Sequence, residues 1–469
     1  MVRWLLRGRP TLFVTYLALV GVPLAVLLWV ISLRPAGVSS GVQIAANGGA
    51  GFGLSELAML AAEISVVLIV SRLVGSLPEK IRQPRVIGEL LAGILLGPSV
   101  LGWAFPTAWA VLFPTASFGV LNALSQLGLV LFMFLVGLEV NLSELHQQGR
   151  VAILVSHASI ATPIALGSVL AVYLYPRVSD PSVEFRGFAL YMGAAMSVTA
   201  FPVLARILSD RKMLRTPMGT LAIACAAIDD VTGWCVLACI VAQVRAAHSA
   251  VPLWMTAGGL AIFGALMFGG ARVRLRAVER HYMERGMLSD NMKAALLLFL
   301  MLSALITEAL GLHLLFGAFV SGADMPKGRE FVSYVAGEFE PLTMLLLLPL
   351  FFAYTGLRTS IGQIGGLAMW GLCLSIIAVA VIGKFGATSL AARLGGIGWR
   401  DSLGLGALMN TRGLMEVVVL NIGLDIHVIS TRLFSMMVVM AIVTTMMTPP
   451  LLDWIYPSRA GGAMGEGAG

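Results

Sequence analysis

Asp229 and Asp230 are adjacent carboxylates inside the apolar run Met218–Gln243. Twelve residues precede Asp230 in that run and thirteen follow it, so with a helical rise of about 1.5 Å per residue the pair lies near mid-bilayer. Neither side chain is long enough to snorkel to an interface. A charged Asp at the centre of a membrane helix costs roughly 2.5–3.5 kcal/mol on insertion scales. Two together need a cation partner or a shared proton, because like charges so close do not both ionise cheaply. That describes a site where H⁺ and a metal cation compete. The plain alternative is a polar pair hydrogen-bonded inside a helix bundle.

Three further groups carry polar chemistry into apolar runs. Ser197-Val198-Thr199-Ala200-Phe201-Pro202 places two hydroxyls and a proline in mid-span. Pro202 cannot donate a helical hydrogen bond and opens the helix one turn earlier. Asn410-Thr411-Arg412-Gly413 interrupts a second span, with Glu416 four residues beyond Arg412. Taken singly, these are a tolerated proline kink and an i,i+4 ion pair. Beside a mid-membrane acid pair, two broken helices point to a transporter site built from repeats. The breaks lie seven spans apart, an odd number, so the second repeat is inverted relative to the first. Lys384 is the only lysine deep in a span, between Gly383 and Gly386. It either snorkels to the cytoplasmic interface or serves as counter-ion to the acid pair.

These residues must be positioned by membrane helices. The chain has 469 residues, 58% hydrophobic and 12% charged, with a mean hydropathy of +0.91. That excludes a large soluble core. The net charge of +7 is concentrated in alternate loops, which orients the chain and gives no nucleic-acid patch. Expected spans are 11–33, 54–77, 86–104, 118–141, 151–175, 186–209, 216–243, 251–271, 288–309, 311–325, 341–357, 364–392, 402–424 and 428–453. Both termini then lie in the cytoplasm, and the Arg-rich segment 272–287 reads as a cytoplasmic linker. The organisation is an extra N-terminal helix and external loop (1–53), a membrane domain (54–455) and a short tail (456–469). Glu89, Glu139, Glu308 and Asp324 fall near span ends and suit structural or entrance roles. His157 and His313 stand alone without metal-ligand spacing. The four cysteines sit in apolar runs and imply no disulfide framework. Cys225, one turn before Asp229, either faces the same cavity or is packed.

The chain resembles the monovalent cation/proton antiporter-2 family, most closely plant cation/proton exchangers and their bacterial relatives. The likeness runs from about residue 54 to 455. It includes Gln83–Gly93, Gly128–Glu139, Ser197–Pro202, Ala226–Thr232, Leu315–Phe319 and Ala407–Glu416. The resemblance implies an all-α polytopic membrane protein of about 13–14 transmembrane helices. It further implies inverted five-helix repeats, two crossed broken helices, a dimerisation part, a mobile core and a homodimer in a bacterial inner membrane. Asp230 then holds the monovalent cation, Asp229 is its neighbour, Thr199 and Ser197 belong to the unwound segment, and Lys384 is the core ion-pair lysine. Pro202, Asn410, Thr411, Arg412 and Glu416 are the crossing-helix polar residues. The implied activity is antiport of H⁺ against Na⁺ or K⁺, with no cofactor and no nucleic-acid partner. Asp229 separates the chain from potassium efflux members, which carry a neutral residue there. If Lys384 also loses a proton when the cation arrives, two protons exchange per cation; if it stays charged, exchange is one for one. A cation channel of similar architecture is the first rival. An intramembrane aspartyl enzyme is a remote one, since adjacent helical residues diverge by about 100° and no Gly-x-Gly-Asp sequence is present.

Overall fold

The computed structural model describes residues 54–457, apart from 82, 115–116, 140–148, 182, 215 and 247–252. The expected first span, 11–33, lies outside the described residues, as does most of the 456–469 tail. Within them, eleven helices are long and apolar enough to cross a bilayer, and the bent pair Trp399–Met409 and Leu414–Asp425 makes a twelfth. The described residues contain no strand, as expected where lipid offers backbone groups no partners.

Several boundaries differ from expectation. The span expected at 311–325 is the ten-residue helix Leu314–Ala323, about 15 Å long and too short to cross alone. Segment 272–287 is not a loop over most of its length: the span Gly258–Arg285 continues through residue 285. Arginine is a good helix former and its long stem reaches water from an interfacial helix, so a charge run does not end the element. Gly286, in the left-handed region at φ 72°, ends it. The span expected at 341–357 is longer, Arg329–Ile364, and passes Pro341 through the π turn Thr343–Leu347.

Two breaks define the centre. The helix Phe185–Ser197 stops at extended Val198, and Phe201–Asp210 restarts with Pro202 in its first turn, where a missing N–H costs nothing. Trp399–Met409 and Leu414–Asp425 meet at a 43° bend around Gly413, whose φ of 148° and ψ of −125° suit only glycine. The breaks touch directly, the Ala200 N–H donating to Thr411 O at 3.0 Å.

The inverted repeat is visible in the helix pairings. In the first repeat Arg85–Ala104 and Phe118–Glu139 open the series, and in the second Leu314–Ala323 and Arg329–Ile364 do. The first helix of each repeat packs against the second helix of the other, as a two-fold relation requires. Both crossings need glycine. A Cβ on Gly356 would lie 1.9 Å from the Gly93 carbonyl carbon, and one on Gly322 would lie 2.0 Å from Phe134 O. Lys327 fastens the second crossing, its Nζ donating at 3.0 Å to the helix-end carbonyls of Gly137, Leu138 and Gly322. These helices and Leu54–Lys80 pack mainly on one another. Gly149–Val178, Pro217–Ala246, Leu367–Leu394, Thr431–Ile455 and the two broken spans form a second packed group.

Candidate functional site

Pro217–Ala246 carries the acid pair to the point where both broken spans cross. The neighbouring carboxylates have opposite surroundings. Asp229 is enclosed by donors: Ser156 Oγ at 2.5 Å, Ser159 Oγ at 2.7 Å, Thr199 Oγ1 at 2.8 Å and Lys384 Nζ at 3.1 Å. Neither member of the Asp229–Lys384 pair reaches solvent appreciably, with side chains 1% and 0% exposed. Asp230 is 3% exposed, yet neither of its carboxylate oxygens has a hydrogen-bond partner. It lines a small cavity with Val198, Asp229, Gly233, Trp234, Leu237 and Val419. Asp230 is the one carboxylate here that lacks a protein countercharge in contact, and burying an uncompensated charge costs several kcal/mol. A proton or a bound cation supplies what the protein does not.

Lys384 lies in the π turn Ile382–Gly386 of the span Leu367–Leu394. It also donates to Ser197 O and, at 3.4 Å, to Ser159 O. It therefore does not snorkel: its ammonium is fully buried at the acid pair. Ser197, expected in the ion-binding set, meets the site through its backbone. Its hydroxyl turns back onto Ala194 O at 2.7 Å, and only the Ser197 carbonyl enters the site.

Those bonds complete one pattern. The four last carbonyls of a helix have no partner within it. In Phe185–Ser197 each receives a side chain: Ala194 from Ser197, Ala195 and Met196 from Arg412, Ser197 from Lys384. Two cations thus stand at the negative end of the half-helix dipole, in mid-membrane. Arg412 pairs with Glu416 at 2.9 Å, both fully buried, so this i,i+4 pair also clamps the other break. Thr411 Oγ1 donates to Thr448 Oγ1 at 3.2 Å, bracing the second crossing segment against Thr431–Ile455. Asn410 is buried with neither side-chain polar atom hydrogen-bonded. Pro202 stands in the first turn after the break, where Phe201–Asp210 begins.

The structure thus joins Asp229, Thr199, Lys384 and the Ser197 carbonyl directly, and keeps Arg412–Glu416 one helix end away. Ser156 and Ser159 were missed in the sequence. Serines carry no charge to make them conspicuous in an apolar span, and nothing local marks which face meets the acids. The intervening His157 is exposed, on another face. Cys225 is packed: its Sγ lies 3.7 Å from Ala152 O and does not line the cavity at Asp230. Three of the acids expected near span ends have partners there. Glu89 pairs with Arg85 at 3.3 Å, Asp324 lies 3.9 Å from Arg272, and Glu308 accepts from the Leu314 N–H at 2.9 Å. His313 caps the helix Leu314–Ala323, its side chain accepting from Leu315 N.

Comparison with known proteins gives one answer. Residues 64–455 match the family described as sodium/hydrogen exchanger, transmembrane. The chain is 40% identical over 407 residues to the Na⁺/H⁺ antiporter NhaS4 of Synechocystis sp., covering 87% of this chain and 99% of that protein. It is 38% identical to cation/H⁺ antiporter 18 of Arabidopsis thaliana and 31% identical to K⁺/H⁺ antiporter 1 of Saccharomyces cerevisiae, in each case over 86% of this chain. Those two matches span only 50% and 47% of the plant and yeast proteins. The fold resembles that of the sodium proton antiporter MjNhaP1 from Methanocaldococcus jannaschii, with a TM-score of 0.59 at 15% identity, covering 85% of this chain and 97% of that one. A broken-helix crossing around buried acids, in a chain matched over most of its length, places this protein in the transmembrane sodium/hydrogen exchanger family.

Proposed function

We propose that this chain is a secondary antiporter that exchanges H⁺ for Na⁺ or K⁺ by alternating access, with Asp230 as the shared binding group. The observation that carries this reading is the asymmetry of the acid pair. Asp229 is held by three hydroxyls and a lysine, whereas Asp230 faces a cavity with both oxygens unpaired. A single free carboxylate binds either a proton or a cation, so loading one expels the other, and that exclusion couples the two fluxes. Both acids are only 3% exposed, which favours an exchanger over an open channel.

The helix group joined by the Gly93–Gly356 and Gly137–Gly322 crossings serves as a scaffold in this reading, and the group carrying both breaks moves against it. The lipid bilayer is its medium, a homodimer its working form and the bacterial inner membrane its location, with both termini cytoplasmic. The substrates of the named relatives, Na⁺/H⁺, K⁺/H⁺ and cation/H⁺, support a monovalent cation. The test is proton flux in proteoliposomes driven in turn by Li⁺, Na⁺, K⁺ and Rb⁺. Cation-dependent proton movement is expected for the wild type. Cation conduction without proton movement would replace the exchanger with a channel.

A further inference from the structure

At the external end, five polar side chains bridge the two helix groups. Arg358 ends Leu348–Arg358 in the scaffold group, and Asp425 ends Leu414–Asp425, the second half of a broken span. Arg358 Nη1 lies 2.7 Å from Asp425 Oδ1 and donates to Asn421 Oδ1 at 3.2 Å. Asn421 Nδ2 donates at 2.9 Å to Thr355 Oγ1, one turn before Arg358. Gln126 Nε2, from Phe118–Glu139, approaches the other Asp425 oxygen at 3.4 Å. The Arg358 guanidinium also lies over the Tyr354 ring, 5.4 Å from its centroid. Gln126, Thr355 and Arg358 thus all stand on one body, and Asn421 and Asp425 on the other.

Burial gives this cluster its strength. Thr355 is 0% and Asn421 3% exposed, and the Arg358 and Asp425 side chains are 20% and 30% exposed. Charge-assisted bonds in a partly desolvated setting are worth more than exposed surface pairs. At the cytoplasmic end the comparable side-chain bond between the groups is neutral, from Gln83 Nε2 to Met446 O at 3.1 Å. The cluster is also linked mechanically to the site. Val419, two residues before Asn421 on the same half-helix, lines the cavity at Asp230. Whatever shifts that half-helix shifts a wall of the cavity.

We propose that Gln126, Thr355, Arg358, Asn421 and Asp425 form an external latch that holds the broken-helix group against the scaffold and must open once in each transport cycle. The latch rests on the antiport reading above and adds to it the residues that bias the two access states. It favours the externally closed state, because its bonds exist only while the half-helix end is seated on the scaffold. A bond present in one state alone shifts the balance between states by its own free energy.

Two measurements test it in full-length protein. In oriented proteoliposomes, with Na⁺ or K⁺ presented to one face at a time, Asp425→Asn and Arg358→Gln should each strengthen apparent cation affinity on the external face at least threefold. They should weaken it on the cytoplasmic face. Equal changes on both faces, or none, would overturn the latch, since a purely structural defect carries no sidedness. The second uses Thr355→Cys/Asn421→Cys with Cys225, Cys235, Cys239 and Cys373 replaced by serine, so that any loss of folding is visible in the reduced state. Oxidation should stop exchange more than tenfold and reduction should restore it. A fully cross-linked protein that still exchanges would overturn the proposal. Absence of cation-driven proton flux in the wild type would instead overturn the antiport reading itself.

Discussion

The two adjacent aspartates differ in what surrounds them, and that difference predicts their mutants. Asp230→Asn removes the only acid oxygens that face the cavity without a protein partner, so exchange is expected to vanish while the fold persists. Because a buried charge without a countercharge is costly, the amide should melt at the same temperature as the wild type or higher. Thermal unfolding in detergent beside flux in proteoliposomes checks both halves, and substantial flux from the variant would end the assignment. The shared site also fixes a pH dependence. If each bound cation displaces a proton from Asp230, the apparent cation affinity should fall about tenfold for each unit of falling pH where Asp230 is mostly protonated. An affinity that is flat from acid to alkaline conditions contradicts one carboxylate serving both ions.

At the scale of the helices, the crossings of the scaffold group tolerate no side chain. Gly356→Ala forces a Cβ to within 1.9 Å of the Gly93 backbone, so strain must move one helix. Overpacking of this kind costs about 1–3 kcal/mol or more, and the expected result is a melting temperature lower by several degrees. Gly371→Ala is the control, since a Cβ there meets nothing within 4 Å and alanine favours the helix. Equal melting of the two variants would mean that the crossing is loose. The breaks are set in another way. Pro202 removes a donor and Gly413 supplies a backbone angle, while Arg412, Lys384 and Ser197 cover the carbonyls left open. The half-helix Phe185–Ser197 can therefore end in mid-membrane without stranded carbonyls.

For the molecule as a whole, the question is whether each cycle moves net charge. Three hydroxyls bind Asp229 besides Lys384, so the carboxylate stays solvated when the lysine departs. If Lys384 then releases a proton as the cation enters, two protons exchange per cation and the membrane potential drives the cycle. Capacitive currents on a solid-supported membrane should appear with the wild type and change in Lys384→Gln. If clamping the vesicle potential leaves sodium- or potassium-driven proton flux unaltered, exchange is one for one and Lys384 only braces the core.

Much of this architecture was legible because lipid is a simple solvent. Desolvation of the backbone dictates helices of bilayer length, and it makes Asp229, Asp230 and Lys384 conspicuous in apolar runs. Proline and glycine chemistry located both breaks from local sequence alone. Element ends were less legible where charge was read as loop: the Arg-rich run 272–285 is helical, and Leu314–Ala323 is only half a span. Tertiary structure alone decided which aspartate is paired. Ser156 and Ser159 lie 73 and 70 residues away in sequence, and Lys384 lies 155 residues away. Their meeting depends on which helix faces are turned together by packing, and on a π turn that aims the lysine. Hydrophobic pattern sets which segments cross the membrane, but within an almost uniformly apolar helix it does not say which face points inward. That choice is made by the close glycine crossings and the crossed breaks, and it leaves Asp230 facing the cavity.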